Sequence, residues 1–181
     1  MRIAFFVDAF PDLALTFIID QVVGLLERGH DVRIFAFARG RMDRSHPVVR
    51  QYGLLERTTW IGPKGRRWRR FAETAACIAQ RPRHVLPFVR DNRRDPSDSL
   101  RTYRNVFAAR AFAEPLEFDA IHCHFAPNGV TAVLLRRAGL LWGPVVTTFH
   151  GYDMRDGVDS RGAIYAPLRD DGDRFLSISS Y

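Results

Sequence analysis

The chain has 181 residues, which is the length of one α/β domain or of two small ones. Hydrophobic residues make up 46% and charged residues 26%, a balance that excludes a mainly disordered protein. The 2 cysteines are too few for a disulfide framework. No apolar run approaches the roughly 18 residues of a transmembrane helix, and no signal-peptide pattern follows Met1. We therefore expect a cytoplasmic protein.

Positive charge is concentrated in the middle of the chain. The net charge is +7, yet the segment from Arg39 to Arg110 holds 18 basic residues against 6 acidic ones. Such a segment favours an anionic partner: nucleic acid, an anionic membrane or a phosphorylated substrate. A solvated basic face is the alternative, because all the basic residues except Lys64 are arginine and that bias can reflect genome composition.

The first 40 residues predict a strand, a helix and a second strand. Residues 2–8 form the apolar run of a strand buried on both faces. Thr16 is expected to cap a helix that runs to about Arg28, with Gly29 as its C-terminal stop. Residues 31–37 predict the second strand, which completes a βαβ unit.

Short apolar strands and helices continue to alternate along the rest of the chain. The predicted strands are 57–61, 119–125, 144–149 and 173–179, and the predicted helices are 48–55, 66–81, 97–113, 129–139 and 161–170. We expect one α/β domain over residues 1–181, with a doubly wound, Rossmann-like parallel sheet of about six strands. The sequence contains no GxGxxG, GxxxxGK or GxSxG motif, which argues against common nucleotide-binding domains and α/β-hydrolases.

Polar residues follow several of the predicted strands, where open α/β sheets bind ligands. Thr16 can present a hydroxyl and free N–H groups to an anion, or it can simply cap its helix. His122 and His124 share one strand face, but no third metal ligand lies near them in sequence. We expect His124 either to line a cleft or to be a hydrogen-bonded structural histidine.

The most specific pattern in the chain is Thr147-Thr148-Phe149-His150-Gly151-Tyr152-Asp153. A histidine that leaves a buried strand faces the cleft, and Gly151 allows a ligand or a backbone to approach closely. Asp153 can orient His150 or bind a hydroxyl group. The pattern predicts a site without specifying its reaction.

Three segments resemble the N-terminal half of retaining glycosyltransferases with the GT-B architecture, a family that includes bacterial exopolysaccharide and colanic-acid-type transferases. They are DAIHCHFAPNGVTA (119–132), PVVTTFHGYDMR (144–155) and AIYAPLRDDGDRFLSISSY (163–181), and FPDLALTFIIDQVVGLLERGHDV (10–32) is similar as well. The resemblance implies two Rossmann-like domains that face each other across a cleft. The N-terminal domain binds the acceptor, and the C-terminal domain binds the nucleotide-sugar through a spaced glutamate pair. This sequence has no such pair, so we expect the acceptor-side half without its donor-binding domain.

The resemblance also implies roles for individual residues. His150 matches the family histidine that reaches the transferring sugar, where hydrogen bonds can stabilise an oxocarbenium-like transition state. The implied substrate-binding residues are Thr16, Phe17, His124, Gly151 and Asp153. The family needs no metal, so we expect neither a metal nor a cofactor. The nucleotide-sugar enters as donor substrate.

Acceptors in this family are often lipid-linked saccharides at the inner leaflet of the membrane. The predicted helix 66–81 resembles an interfacial anchor, because two aromatic residues stand beside four arginines: Arg66, Arg67, Trp68, Arg69, Arg70 and Phe71. The alternative is a helix that packs its aromatic side chains into the core and keeps its arginines in water. We expect a domain that is inactive alone, serves surface polysaccharide synthesis and docks peripherally on the inner face of the plasma membrane.

Two other functions stay open at this point. One is a non-catalytic, basic Rossmann-like module that binds an anionic membrane or nucleic acid. Trp60, Trp68 and Tyr103 permit base stacking but do not require it, so nucleic acid is the less favoured partner. The other is a different α/β enzyme with an unorthodox nucleotide loop.

Overall fold

A computed structural model describes residues 1–12, 15–41, 46–62, 99–112, 114–159 and 162–178, together with four alanines between 63 and 98. The strands are β1 (Arg2–Phe10), β2 (Asp31–Arg39), β3 (Thr58–Trp60), β4 (Leu116–Glu117), β5 (Ala120–His124), β6 (Leu141–Trp142), β7 (Val145–Phe149) and β8 (Arg174–Ser177). The helices are α1 (Thr16–Glu27), α2 (Pro47–Gln51), α3 (Ser99–Ala111), α4 (Ala126–Arg137), α5 (Tyr152–Asp159) and α6 (Ala166–Asp171), with a 3-10 turn at Ala163–Tyr165. Within these ranges, no helix has both the length and the apolar character that crossing a membrane requires.

Six strands form one parallel sheet in the order β3-β2-β1-β5-β7-β8. The predicted doubly wound, Rossmann-like sheet is therefore confirmed. Strand order reverses between β1 and β5, and this reversal opens the crevice in which such sheets bind ligands. β4 and β6 pair in a separate two-stranded parallel sheet that the sequence did not predict.

The first strand supplies both halves of the hydrophobic core. Ile3, Phe5 and Val7 lie in one buried cluster with residues of α1 and α2, on what we call the α1 face of the sheet. Ala4 and Phe6 lie in a second cluster with residues of α3 and α4, on the α4 face. Alternate side chains of a strand point to opposite faces, so a strand buried on both sides must be apolar throughout.

Helix α1 follows the predicted pattern except at its start. The predicted cap by Thr16 is wrong, because the N-cap residue is Leu15 and no side chain caps the helix. The Leu15 N–H already bonds to the Asp12 carbonyl at 3.3 Å, so the turn begins before Thr16. At the other end Gly29 takes a positive φ of 77°, as expected for a C-terminal glycine stop.

The region after β7 differs from the prediction. Helix α5 was not predicted, since Gly157 interrupts the helical pattern of this eight-residue segment. The predicted helix over 161–170 is a 3-10 turn followed by the short α6. Gly162, with φ of 77°, precedes that turn in a conformation that breaks a regular helix.

Candidate functional site

Three imidazoles meet on the α1 face at the carboxyl edge of the sheet. His122 and His124 lie on β5, and His150 directly follows β7. The ring centroids of His122 and His124 are 4.4 Å apart, and those of His124 and His150 are 5.3 Å apart. The buried Phe5 ring lies 5.1 Å from His122 and 5.8 Å from His124. We call His122, His124 and His150 the histidine cluster.

Hydrogen bonds tie the cluster to two neighbouring elements. His124 Nδ1 lies 3.1 Å from His150 Nε2, and its Nε2 lies 3.2 Å from Gln21 Oε1 on α1. His122 Nε2 lies 2.8 Å from the Thr148 hydroxyl on β7. The two open interpretations of His124 are therefore compatible, since it is a hydrogen-bonded histidine at the edge of the cleft.

All three histidines are held in the neutral form. Burial, together with the His150 charge, lowers the pKa of His122 to about 4. Burial and the two neighbouring imidazoles lower the pKa of His124 to about 3. Burial also lowers the pKa of His150, although the nearby Asp153 carboxylate acts in the opposite direction. At neutral pH each ring thus offers one N–H donor and one lone pair to its surroundings.

Within the described ranges, no group of three or more His, Cys, Asp and Glu side chains is arranged to hold a metal ion. Cys123 lies between the two strand histidines in sequence but points to the α4 face, where it is fully buried in the apolar cluster. Burial raises the pKa of its thiol, which leaves it an inert core residue.

Two phenylalanines flank the exposed part of the cluster. Phe17 lies 5.6 Å from the His124 ring and 5.1 Å from the His150 ring. Phe125 lies 4.3 Å from the His150 ring and 5.2 Å from the ring of Tyr152. The His150 side chain is therefore held between one aromatic ring from α1 and another from the loop after β5.

Phe125 has an unusual backbone. Its φ is 71°, a value that bulky side chains rarely adopt. Its N–H bonds to the Thr148 carbonyl at 2.8 Å, and its carbonyl accepts from the Asn128 N–H at 3.1 Å. These bonds join the ends of β5, β7 and α4, and they maintain a conformation that places the ring against His150.

Asp153 organises the loops without exposing its carboxylate. The side chain is 0% exposed. Oδ1 accepts hydrogen bonds from the N–H groups of His150 and Met154 at 2.8 and 3.1 Å, and Oδ2 accepts one from Ala126 at 2.9 Å. Of the two predicted roles, these contacts favour the orientation of His150, through its backbone rather than its imidazole. Gly151, which lies between His150 and Asp153 in sequence, is exposed and has a φ of 90°.

A second polar network borders the crevice on the α4 face. Arg104 Nη2 donates to Asp8 Oδ1 at 2.8 Å and also to the Asn128 amide oxygen. Asn128 donates to the His124 carbonyl at 2.6 Å, while Tyr152 donates to Asp8 Oδ2 at 3.4 Å. This network connects α3 to the backbone beneath the histidine cluster.

A cavity of about 600 Å³ is lined by residues of β7, α5 and β8 and by none of the three clustered histidines. Its lining is mainly apolar and includes Phe149, Met154, Tyr165, Phe175 and Leu176. A ligand rich in hydroxyl groups needs hydrogen-bond partners, which the histidine cluster offers and this mainly apolar lining does not.

The structure brings most of the predicted site residues together. Phe17, His124 and His150 share ring contacts, Gly151 directly follows His150, and Asp153 lies in the first turn of α5. Thr16 is exposed on the first turn of α1. The predicted membrane-surface residues, Arg66, Arg67, Trp68, Arg69, Arg70 and Phe71, lie outside the described residues.

Sequence reasoning missed Gln21, Phe125, Tyr152 and Arg104. A usable signal existed for Gln21, which follows Phe17 by one helical turn and so shares its face. Arg104 reaches the crevice from α3, whose sequence separation from Asp8 is too large for any local pattern.

The chain resembles bacterial polysaccharide transferases along most of its length. It is 30% identical over 187 residues to the protein named colanic acid biosynthesis glycosyltransferase WcaL of Salmonella typhimurium, covering 99% of this chain and 45% of that protein. The Escherichia coli protein of the same name is 29% identical, with the same coverage. The amylovoran biosynthesis glycosyltransferase AmsK of Erwinia amylovora is 28% identical over 85% of this chain and 38% of its own length.

The chain thus spans less than half the length of these relatives. The sequence profile of Glycosyltransferase Family 4 matches residues 15–181, which include the histidine cluster and the flanking groups described above except Phe5 and Asp8. The chain belongs to Glycosyltransferase Family 4.

Proposed function

We propose that residues 1–181 form the acceptor-side domain of a retaining glycosyltransferase. In this proposal the enzyme moves a sugar from a nucleotide-sugar to a lipid-linked saccharide during surface polysaccharide synthesis. The observation that carries it is the neutral histidine cluster at the crevice where strand order reverses. The names of the relatives, which refer to colanic acid and amylovoran, support an exopolysaccharide as the product.

His150 is the residue best placed to touch the reacting sugar. Its imidazole is only partly buried, whereas His124 behind it is fully buried. One His150 nitrogen bonds to His124 at 3.1 Å, so the other nitrogen is the one directed away from the cluster. A hydrogen bond placed in advance at this position stabilises charge that develops in the transition state, without reorganisation during the reaction.

The proposal assigns donor binding to a second domain outside these 181 residues. Proximity of donor and acceptor supplies much of the rate in group transfer, so the chain alone is expected to be inactive. The acceptor's lipid anchor would bring the enzyme to the inner face of the plasma membrane. Segment 66–71 remains the predicted contact, on the evidence of its sequence alone.

The test is sugar transfer from nucleotide-sugars to membrane-extracted lipid-linked saccharides, measured with the native gene product and with the 181-residue chain. His150→Ala in the native product is expected to lower kcat by about 100- to 1000-fold, as for loss of one transition-state hydrogen bond. His30→Ala, which changes a histidine remote from the cluster, serves as the matched control. The anomeric configuration of the product, read by NMR, reports retention.

Each part of the proposal can fail separately. Turnover by the 181-residue chain would contradict its inactivity, and an inverted product would contradict retention. Full activity in His150→Ala would contradict the site. Absence of transfer together with tight binding to anionic vesicles or to single-stranded DNA would favour the non-catalytic basic module instead.

A further inference from the structure

Gln21 ends the chain of hydrogen bonds that runs from His150 through His124. It is exposed on α1, and its Oε1 lies 3.2 Å from His124 Nε2, across 103 positions of sequence. We propose that Gln21 is a positioning residue that sets which nitrogen carries the proton in His124 and in His150. The tautomer assignment stands by itself, and its effect on sugar transfer rests on the proposed function.

The assignment follows from counting donors and acceptors. A neutral imidazole has one N–H and one lone pair, and an amide oxygen only accepts. His124 Nε2 therefore carries the proton that Gln21 Oε1 accepts, which leaves Nδ1 of the same ring as an acceptor. His150 Nε2, 3.1 Å from that Nδ1, must then donate. His150 Nδ1 is left with its lone pair.

The residues packed around His124 fix the position of its ring, so only the nitrogen that carries the proton can still vary. The ring is 0% exposed and stacks on Phe5 with an interplanar angle of 25°. Phe17 contacts it edge-on, with an interplanar angle of 65°. These contacts hold the ring plane, and burial keeps the ring uncharged. If the Gln21 amide were turned over, its NH₂ would donate, and every proton in the chain of bonds would move to the other nitrogen.

The two arrangements differ in what His150 offers to a ligand. With Gln21 accepting, His150 Nδ1 accepts a hydrogen bond, which suits a sugar hydroxyl that donates its proton. With the amide turned over, the same nitrogen would donate instead. Gln21 thereby determines whether His150 Nδ1 donates or accepts a hydrogen bond. It does so through His124, since Gln21 bonds to His124 and His124 bonds to His150 Nε2.

The first arm of the test is long-range ¹⁵N–¹H NMR of the histidine rings in the 181-residue chain. Spectra are recorded above the ordinary histidine pKa of about 6.5, so that the rings stay neutral. The variants are Gln21→Glu, which can only accept, and Gln21→Leu, which can neither donate nor accept. Gln51→Leu, at an exposed glutamine on α2, is the matched control.

The wild type, Gln21→Glu and Gln51→Leu are expected to show Nε2–H at both His124 and His150. Gln21→Leu is expected to show a mixture of tautomers at both rings. Protonation of His150 at Nδ1 in the wild type would overturn the assignment. Unchanged tautomers in Gln21→Leu would show that Gln21 does not set them. Gln21 is exposed, so neither replacement side chain has to fit into the core, and all variants should fold.

The second arm measures sugar transfer with the native gene product. Gln21→Leu is expected to lower kcat about tenfold with little change in KM. Gln21→Glu is expected to keep most of the wild-type kcat. If Gln21→Leu transfers normally while His150→Ala does not, the positioning role is wrong and the proposed function stands. If Gln21→Leu and His150→Ala both transfer normally, the assignment of the site to His150 fails, and the tautomer result is judged by NMR alone.

Discussion

The two faces of β5 serve different purposes in the molecule. On the α4 face Ile121 and Cys123 are fully buried in an apolar cluster beneath α3 and α4. On the α1 face the alternate residues are His122 and His124, and the edge of α1 meets them with Phe17 and Gln21. A strand with a two-residue period can thus place an uninterrupted core on one side and polar chemistry on the other. The apolar core and the candidate site thus lie on opposite faces of the same sheet.

The largest expected effect comes from cutting the core on the α4 face. Phe6 is 0% exposed and stacks on Phe35 and Phe112 at centroid distances of 5.0 and 6.3 Å. Phe6→Ala is expected to lower the free energy of unfolding by about 3–5 kcal/mol, measured by urea denaturation. Phe5→Ala, on the α1 face, should cost a similar amount.

The two variants should differ in what they do to the histidine cluster. Phe5 packs against His122 and His124, so Phe5→Ala should shift their imidazole resonances, whereas Phe6→Ala should leave them nearly unchanged. Equal shifts in both variants would mean that the sheet does not separate the two faces.

The second effect is a dependence of stability on pH that comes from the α1 face. The folded-state pKa values of His122 and His124 lie at about 4 and about 3, below the ordinary value of 6.5. The unfolded chain therefore binds more protons than the folded chain as the pH falls. The free energy of unfolding that depends on these two histidines is at its maximum above about pH 6.5, and it decreases as the pH falls towards their folded-state pKa values. The slope is at most about 1.4 kcal/mol per pH unit for each histidine.

Urea denaturation at several pH values from about 4 to 8 measures this slope, on both sides of the ordinary histidine pKa. A double substitution, His122→Asn with His124→Gln, should flatten it. His30→Gln, at a histidine outside the cluster, should leave the slope unchanged. A slope that survives the double substitution would assign the acid sensitivity to other groups.

The smallest effect concerns the backbone that carries His150. Gly151 has φ of 90° and open space around the position of a Cβ, so Gly151→Ala adds strain without a steric clash. The expected loss is about 1–2 kcal/mol, the cost of a left-handed conformation for an L-residue. Gly29→Ala, at a similar φ of 77° and equally open, is the matched control.

Both glycine variants should lose similar stability in urea denaturation. Only Gly151→Ala should also lower sugar transfer by the native gene product, because it displaces the His150 backbone that Asp153 holds. A loss of transfer in Gly29→Ala as well would indicate a general effect of stability rather than a local one.

Local patterns predicted the parts of the fold that depend on neighbouring residues. The apolar run of β1 and the alternation in β5 predicted both strands, because side-chain direction repeats every two residues. The motif around His150 predicted a polar group at the carboxyl end of β7, since it follows that strand directly. The Thr16 cap failed because a hydrogen bond from upstream residues began the turn earlier. Helix α5 was missed because its N-terminus is stabilised by Asp153 contacts rather than by its own propensity.

By itself the sequence determined the order along the chain of the six strands of the main sheet, the burial of β1 on both faces and the presence of histidines at the ends of two strands. The tertiary structure decided which of those groups meet. It placed Gln21 against His124 across 103 residues and Arg104 against Asp8 across 96, and it forced Phe125 to a positive φ beside His150. Hydrogen bonds and ring contacts between distant segments depend on strand order and helix packing, and no local pattern encodes either.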